Sequence, residues 1–254
     1  MRPWCQTRNL NLAAALATCG VDFNIEKILD EPTGARSCWF ILSTTPAERP
    51  GDPNPLRFST PKILQQIRDR SLEQSDPAHP VLDCLHGISI REALLSWLKR
   101  GHRCRIVPIV GTDRAVAEPG SEEALPVGDL VRTPDINLAA ALMRCGFPCV
   151  GIEPGLRARF LIKNEGHHPG RAAHIAAGIR SGELARSNED HPALWVMMAL
   201  RNRRGIMGML KRNEELILLR DPKSIDWRRS FRSAVIFSNA NSKALDQVRD
   251  HLRV

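Results

Sequence analysis

Apolar residues along this chain fall into two sets with the same order. Each set opens on an Ala/Leu-rich run, NLAAALATCG at 11–20 and NLAAALMRCG at 137–146. Runs that are apolar at nearly every position predict buried helices. Asn11 and Asn137 are candidate N-caps or first-turn residues, and Gly20 and Gly146 supply the stops. Two short segments follow, VGIEP and ARFLI at 150–154 and 158–162 in the second set, with CWFIL at 38–42 in the first. They predict a β-hairpin turning near Gly155. GRAAHIAAGIRSGEL, 170–184, carries apolar residues at helical spacing. A His-Pro pair then opens the last helix of each set, with proline suited to the first turn. In the first set that helix is expected to break at Gly87. It restarts as SIREALLSWLKRG, with Ser89 and Glu92 at capping-box spacing and Gly101 as the stop. The apolar runs RIVPIV (105–110) and LILLR (216–220) read as strands.

The two sets are related in sequence. TRNLNLAAALATCGV (7–21) and TPDINLAAALMRCGF (133–147) are identical at nine of 15 positions, at an offset of 126. Further on the offset settles at 112, pairing His79-Pro80 with His191-Pro192, Arg91 with Arg203 and Leu98-Lys99-Arg100 with Leu210-Lys211-Arg212. The pattern predicts an α/β (α+β) fold of two tandem copies of a strand–helix–β-hairpin–helix–helix–strand module, an internal duplication. The repeat units span about 7–101 and 133–213. The corresponding division of the chain is a first module 1–110, a linker 111–132, a second module 133–220 and a C-terminal extension 221–254. Each unit alone would have a thin core, so the copies are expected to pack side by side with pseudo-twofold symmetry. The first unit carries a proline-rich insertion, STTPAERPGDPNPLRFSTP at 43–61, where the second has only KNEGHHPG at 163–170. Proline removes a donor and fixes φ, so the insertion reads as an irregular surface segment. The Gly, Pro and acidic residues of 111–132 suggest an exposed connection.

TPDINLAAALMRCGF, followed by a hairpin, a helix and a basic C-terminal helix, resembles a family of small bacterial and phage α/β domains of unknown function. The resemblance covers the second unit best. The first departs from it with Asn9 in place of Asp135 and with the proline insertion. It implies the fold and a bacterial or mobile-element setting, and no catalytic residues.

Charge changes the picture. The chain has 36 Lys/Arg against 28 Asp/Glu, a net +8. The first unit holds 11 of each and is neutral; the second holds 12 against 6, a net +6. Arg201, Arg203, Arg204, Lys211 and Arg212 cluster late in the second unit, and DWRRSFRS adds Arg228, Arg229 and Arg232 beside Trp227 and Phe231. Arginine forks onto phosphate and aromatics stack bases, so these eight residues are the candidate nucleic-acid surface. A neutral first unit suits a protein partner instead, through residues 43–61. No apolar run reaches the roughly 20 residues needed to cross a bilayer, and the first ten residues have no signal-peptide pattern. The expected location is the cytoplasm, with no membrane association.

Candidate chemistry is thin. His79 and His191 recur before proline, and either could serve as acid or base in a metal-independent nucleic-acid processing enzyme. The same recurrence suits a structural turn. His167, His168 and His174, with Glu165 near, are weak metal candidates, because three or four ligands must converge and no HExxH is present. The seven cysteines include no CxxC pair, and Cys19 and Cys145 read as small buried hydrophobes. Met197, Met198, Met207 and Met209 read as adaptable core. The absence of GxxxxGK[ST], GxGxxG after a strand and GxSxG leaves no cofactor expected.

Overall fold

The computed structural model describes residues 4–30, 35–47, 56–100, 104–108, 115–119, 130–153, 157–166 and 171–212. Helices and small antiparallel sheets alternate in a mixed α/β fold. The first half runs β1 (Trp4–Thr7), α1 (Leu10–Thr18), β2 (Val21–Asp30), β3 (Ala35–Pro46), α2 (Thr60–Arg68), α3 (Ser71–Ser75) and α4 (Pro80–Arg100). After β4 (Cys104–Pro108) and β5 (Ala115–Pro119), the same order recurs. It comprises β6 (Leu130–Thr133), α5 (Ile136–Arg144), β7 (Cys149–Glu153), β8 (Arg159–Lys163), α6 (Ala172–Ser181), α7 (Glu183–Ser187) and α8 (Pro192–Arg212).

Local chemistry is matched between the halves. Asn9 Oδ1 accepts the N–H groups of Asn11 and Leu12 at 2.9 and 3.1 Å, and Asp135 Oδ1 accepts those of Asn137 and Leu138 at 2.8 and 3.4 Å. The N-caps are therefore Asn9 and Asp135, because these side chains satisfy the orphan first-turn donors, and of the two alternatives Asn11 and Asn137 take the first-turn one. That leaves Asn11 and Asn137 in the first turn with side chains available for other partners. Gly20 and Gly146 follow the helices at φ 89° and 86°, a left-handed geometry that favours glycine.

Each hairpin pairs with the strand before its helix, giving the orders β1-β3-β2 and β6-β8-β7. The registers correspond, with Thr7 opposite Phe40 and Thr133 opposite Phe160. Both hairpins also shift register near their start, between Val21 and Phe23 and between Cys149 and Gly151. The second sheet is longer. β4 pairs with β7 and β5 with β4, giving five strands. Residues 115–119, expected in an exposed linker, thus form a sheet strand, since their backbone donors and acceptors find partners on β4. The run 216–220 lies outside the described residues.

The halves share one core. α1 and α5 pack against both α4 and α8, so the long helix of each half covers the Ala-rich helix of the other as well as its own. Ala13–Ala15 and Ala139–Ala141 are fully buried. Their small side chains let four helices approach closely. α4 runs unbroken from Pro80 to Arg100, against the expected break at Gly87. A Cβ on Gly87 would lie 2.9 Å from Val196 Cβ, so the glycine serves the close crossing of α4 and α8. Ser89 and Glu92 are consequently mid-helix. Of the proline-rich segment, Ser43–Pro46 ends β3 and Thr60–Pro61 opens α2, where proline is tolerated; residues 48–55 lie outside the described residues.

Candidate nucleic-acid interface and the arginine crossing

The candidate arginines divide by environment. Arg203 is not a free surface cation. Its Nε donates to Asn11 Oδ1 at 2.6 Å, its Nη2 to Glu92 Oε1 at 2.6 Å and its Nη1 to the Met207 sulfur at 3.3 Å. Its side chain is only 18% exposed. Asn11 Nδ2 also donates to Glu92 Oε1, at 3.4 Å. Arg203, predicted as a phosphate contact, is therefore a clamp between α8, α1 and α4, because a carboxylate and an amide of the other half saturate it. The relation is reciprocal: Arg91 of α4 donates from Nε to Asn137 Oδ1 on α5 at 2.8 Å. Each long helix thus sends an arginine to the first-turn asparagine of the other half.

Symmetry fails one residue later, where Glu92 of α4 corresponds to Arg204 of α8. Arg204 is exposed and Arg91 half-buried. The Arg91 pKa is lowered from its usual value by burial first, then by the charges of Arg203 and Arg204, while Glu92 and Asp135 act the other way. Arg201 is half-buried with a partner of its own. Lys211 and Arg212 close α8. Arg228, Arg229 and Arg232 lie outside the described residues.

A basic surface that periodicity could have flagged lies on the second sheet. Along β8, Phe160 and Ile162 are buried while Arg159 and Lys163 are exposed. Alternation puts Arg159, Leu161 and Lys163 on the outer face. Arg132 of β6 sits opposite Leu161 on that face and pairs with Glu153 at 3.2 Å. The corresponding outer positions of the first sheet are Gln6, Trp39, Ile41 and Ser43, with Arg8 lying 4.2 Å over the Trp39 ring. The same architectural face therefore carries three cations and Glu153 in one half, and Arg8 alone among these positions in the other. The signal in the sequence was RFLIK, whose alternate residues are Arg159, Leu161 and Lys163, two of them cations.

The paired histidines cap helices. Val81 N–H donates to His79 Nδ1 at 3.2 Å, and Ala193 N–H donates to His191 Nδ1 at 3.1 Å. Both residues are buried, at 8% and 5% exposure. Nδ1 is occupied as an acceptor, and burial lowers the His79 pKa ahead of an opposing effect of Asp76. This geometry holds a neutral imidazole at the entry to α4, packed edge-to-face on Phe58 at 5.2 Å. His174 is exposed on α6, and His167 and His168 lie outside the described residues. Among the described residues no three His, Cys, Asp or Glu side chains form a group able to hold a metal ion. Cys19 and Cys145 are buried beside the helix ends, as expected, and burial pushes the Cys145 thiol up to about 12. Met197 and Met198 are core residues, whereas Met207 receives Arg203.

A buried ion pair also joins the halves. Arg144 of α5 reaches Asp83 of α4 at 2.7 Å, with side chains 17% and 6% exposed. Burial raises the Asp83 pKa, and the Arg144 charge and hydrogen bond only partly offset that. Among the described residues no helix is long and apolar enough to cross a membrane.

These features define a mixed α/β protein of two like-ordered halves on one core, with cations concentrated on the second. Compared with known proteins, the chain matches no family model, no curated protein and no solved structure. The resemblance to small bacterial and phage domains therefore stands on the quoted residues alone.

Proposed function

We propose that the protein binds nucleic acid, without a reaction of its own, through the outer face of the second sheet and the cations around it. The observation that carries this reading is the contrast between equivalent faces, with Arg132, Arg159 and Lys163 on one, where Glu153 pairs with Arg132 alone, and Gln6, Trp39 and Ser43 on the other, where Arg8 over Trp39 is the cation. Packing cannot account for it, because the buried positions of β3 and β8 keep the same kind of residue, Phe40 and Leu42 against Phe160 and Ile162. Cations gathered on one face of a sheet suit a phosphate backbone, whose binding releases counterions and weakens steeply with salt. Arg204 remains a candidate contact; Arg203 serves to position the helices.

The test is fluorescence anisotropy with labelled single- and double-stranded DNA and RNA at two salt concentrations. Arg159→Ala with Lys163→Ala should weaken binding roughly tenfold and reduce the salt slope by about two. Salt-sensitive binding that this pair leaves unchanged would remove the sheet face from the proposal.

A further inference from the structure

The broken symmetry at the helix crossing points to a second site, separate from the sheet face. In the first-half arrangement, two donors converge on one oxygen. Arg203 Nη2 and Asn11 Nδ2 both donate to Glu92 Oε1, at 2.6 and 3.4 Å. This is a built oxyanion site that the chain fills with its own carboxylate. The mirror arrangement keeps the donors: Arg91 matches Arg203, Asn137 matches Asn11, and the Arg91 Nε to Asn137 Oδ1 bond reproduces the scaffold at 2.8 Å. The residue matching Glu92 is Arg204, so a second cation takes the position at which the other half supplies the anion.

Nearby carboxylates offset that exchange only in part: the charges of Glu92 and Asp135 favour the charged Arg91, and each does so less than Arg203 or Arg204 opposes it. Glu92 is bound by Arg203, and Asp135 Oδ1 accepts two backbone N–H groups as the α5 cap. Among the described residues neither Arg91 nor Arg204 forms an ion pair, and the charges of Arg203 and Arg204 both act against ionisation of the half-buried Arg91. Like charges brought together on a partly buried scaffold cost free energy unless an anion joins them.

We propose that Arg91, Asn137 and Arg204 form an oxyanion site that takes a phosphate group, at the place where the other half holds its Glu92 carboxylate. Phosphate fits better than carboxylate because the charges of two arginines, Arg91 and Arg204, act on each other here where one arginine serves Glu92, and two cations match a dianion. Guanidinium forks and an amide N–H suit its tetrahedral oxygens. The group could belong to free phosphate or to a nucleic-acid backbone, and the site does not depend on the sheet-face reading.

Isothermal titration of the full chain with inorganic phosphate, in low-salt chloride buffer with acetate as control, tests it. Arg204→Glu restores the carboxylate that symmetry places there. Phosphate affinity should fall about tenfold or more, the loss of a charge-assisted contact. The unfolding midpoint in phosphate-free buffer should not fall, which separates a closed site from a damaged fold. Arg204→Gln, removing charge only, should give an intermediate loss. Absence of phosphate binding by the wild type, or binding that survives Arg204→Glu, overturns the proposal. A parallel titration with a short single-stranded oligonucleotide identifies the source. Weakening of both ligands by Arg204→Glu assigns the site to backbone phosphates. Loss of phosphate binding with oligonucleotide binding kept assigns it to the free anion and leaves the sheet face as a separate question.

Discussion

Gly87→Ala tests the shared core at its tightest point. A Cβ there would lie 2.9 Å from Val196 Cβ and 2.5 Å from Val196 Cγ2. Carbon atoms in contact normally sit about 3.5–4.0 Å apart, so α4 and α8 must separate by roughly 1 Å or Val196 must leave its rotamer. Two terms oppose each other. Alanine gains about 1 kcal/mol of helix propensity over glycine. Overpacking a close-packed core costs about 1–3 kcal/mol, and here Val196 Cβ, fixed to the backbone, cannot swing away. The clash wins, with a net loss of about 1–2 kcal/mol. For a chain of this size that lowers the melting midpoint by about 2–8 °C. Urea unfolding followed by helical circular dichroism reads it. Val196→Ala, which costs about 2 kcal/mol alone, removes two of the three offending atoms. On that background Gly87→Ala should therefore be milder, with a coupling of about 1 kcal/mol. A stabilising Gly87→Ala with no coupling to Val196 would refute the close crossing, and with it the single core.

Two further predictions follow from buried polar groups. Arg144→Met leaves the Asp83 carboxylate buried without its partner and should cost about 3–5 kcal/mol at neutral pH by urea unfolding. Asp83 is already held above the ordinary carboxylate range by burial, so the native state binds its proton more readily than the unfolded chain does. Acidification from neutrality should then narrow the gap between variant and wild type, and a gap that widens would refute the assignment. His79→Ala should cost about 1 kcal/mol as a lost cap. The His79 pKa is depressed by burial, so its contribution is complete above about pH 6.5 and is lost as pH falls through the lower native value. His79→Asn, which keeps a capping oxygen, should flatten that acid limb; an unchanged limb would assign it to other groups.

The order of elements was legible because it rests on short-range patterns. The NLAAAL runs, the hairpin segments and the His-Pro entries each report a local preference, and all appear where expected. Gly87 was misread because a helix-interior glycine looks like a breaker when the facing residue is unknown; Val196 lies 109 positions away in sequence. The strand at Ala115–Pro119 was hidden in a segment rich in Gly, Pro and acids, since its partner β4 supplies the order its own composition lacks. For the candidate site, charge totals located the basic half but not which of its cations stand exposed on one face. Arg203 and Arg204 are adjacent and chemically identical in the sequence. Only the arrival of Asn11 and Glu92 from the first half makes one a clamp and leaves the other exposed.

That divergence bears on how the two halves differ in role. Positions that hold the halves together are alike in kind: asparagine in the first turn of each Ala-rich helix, arginine opposite it, and the imidazole caps. Several positions that face outward differ in charge: Gln6 against Arg132, Trp39 against Arg159, Ser43 against Lys163, and Glu92 against Arg204, while Arg8 against Pro134 runs the other way. The first four differences make the second half more positive. Stability alone gives no reason for such a bias, because exposed charges contribute little to folding and crowded like charges oppose it. A polyanionic or phosphate-bearing ligand gives one reason for all four, on two separated surfaces. Reversing the four residues toward their first-half counterparts should therefore remove anion binding while leaving the shared core, and the midpoint it sets, in place.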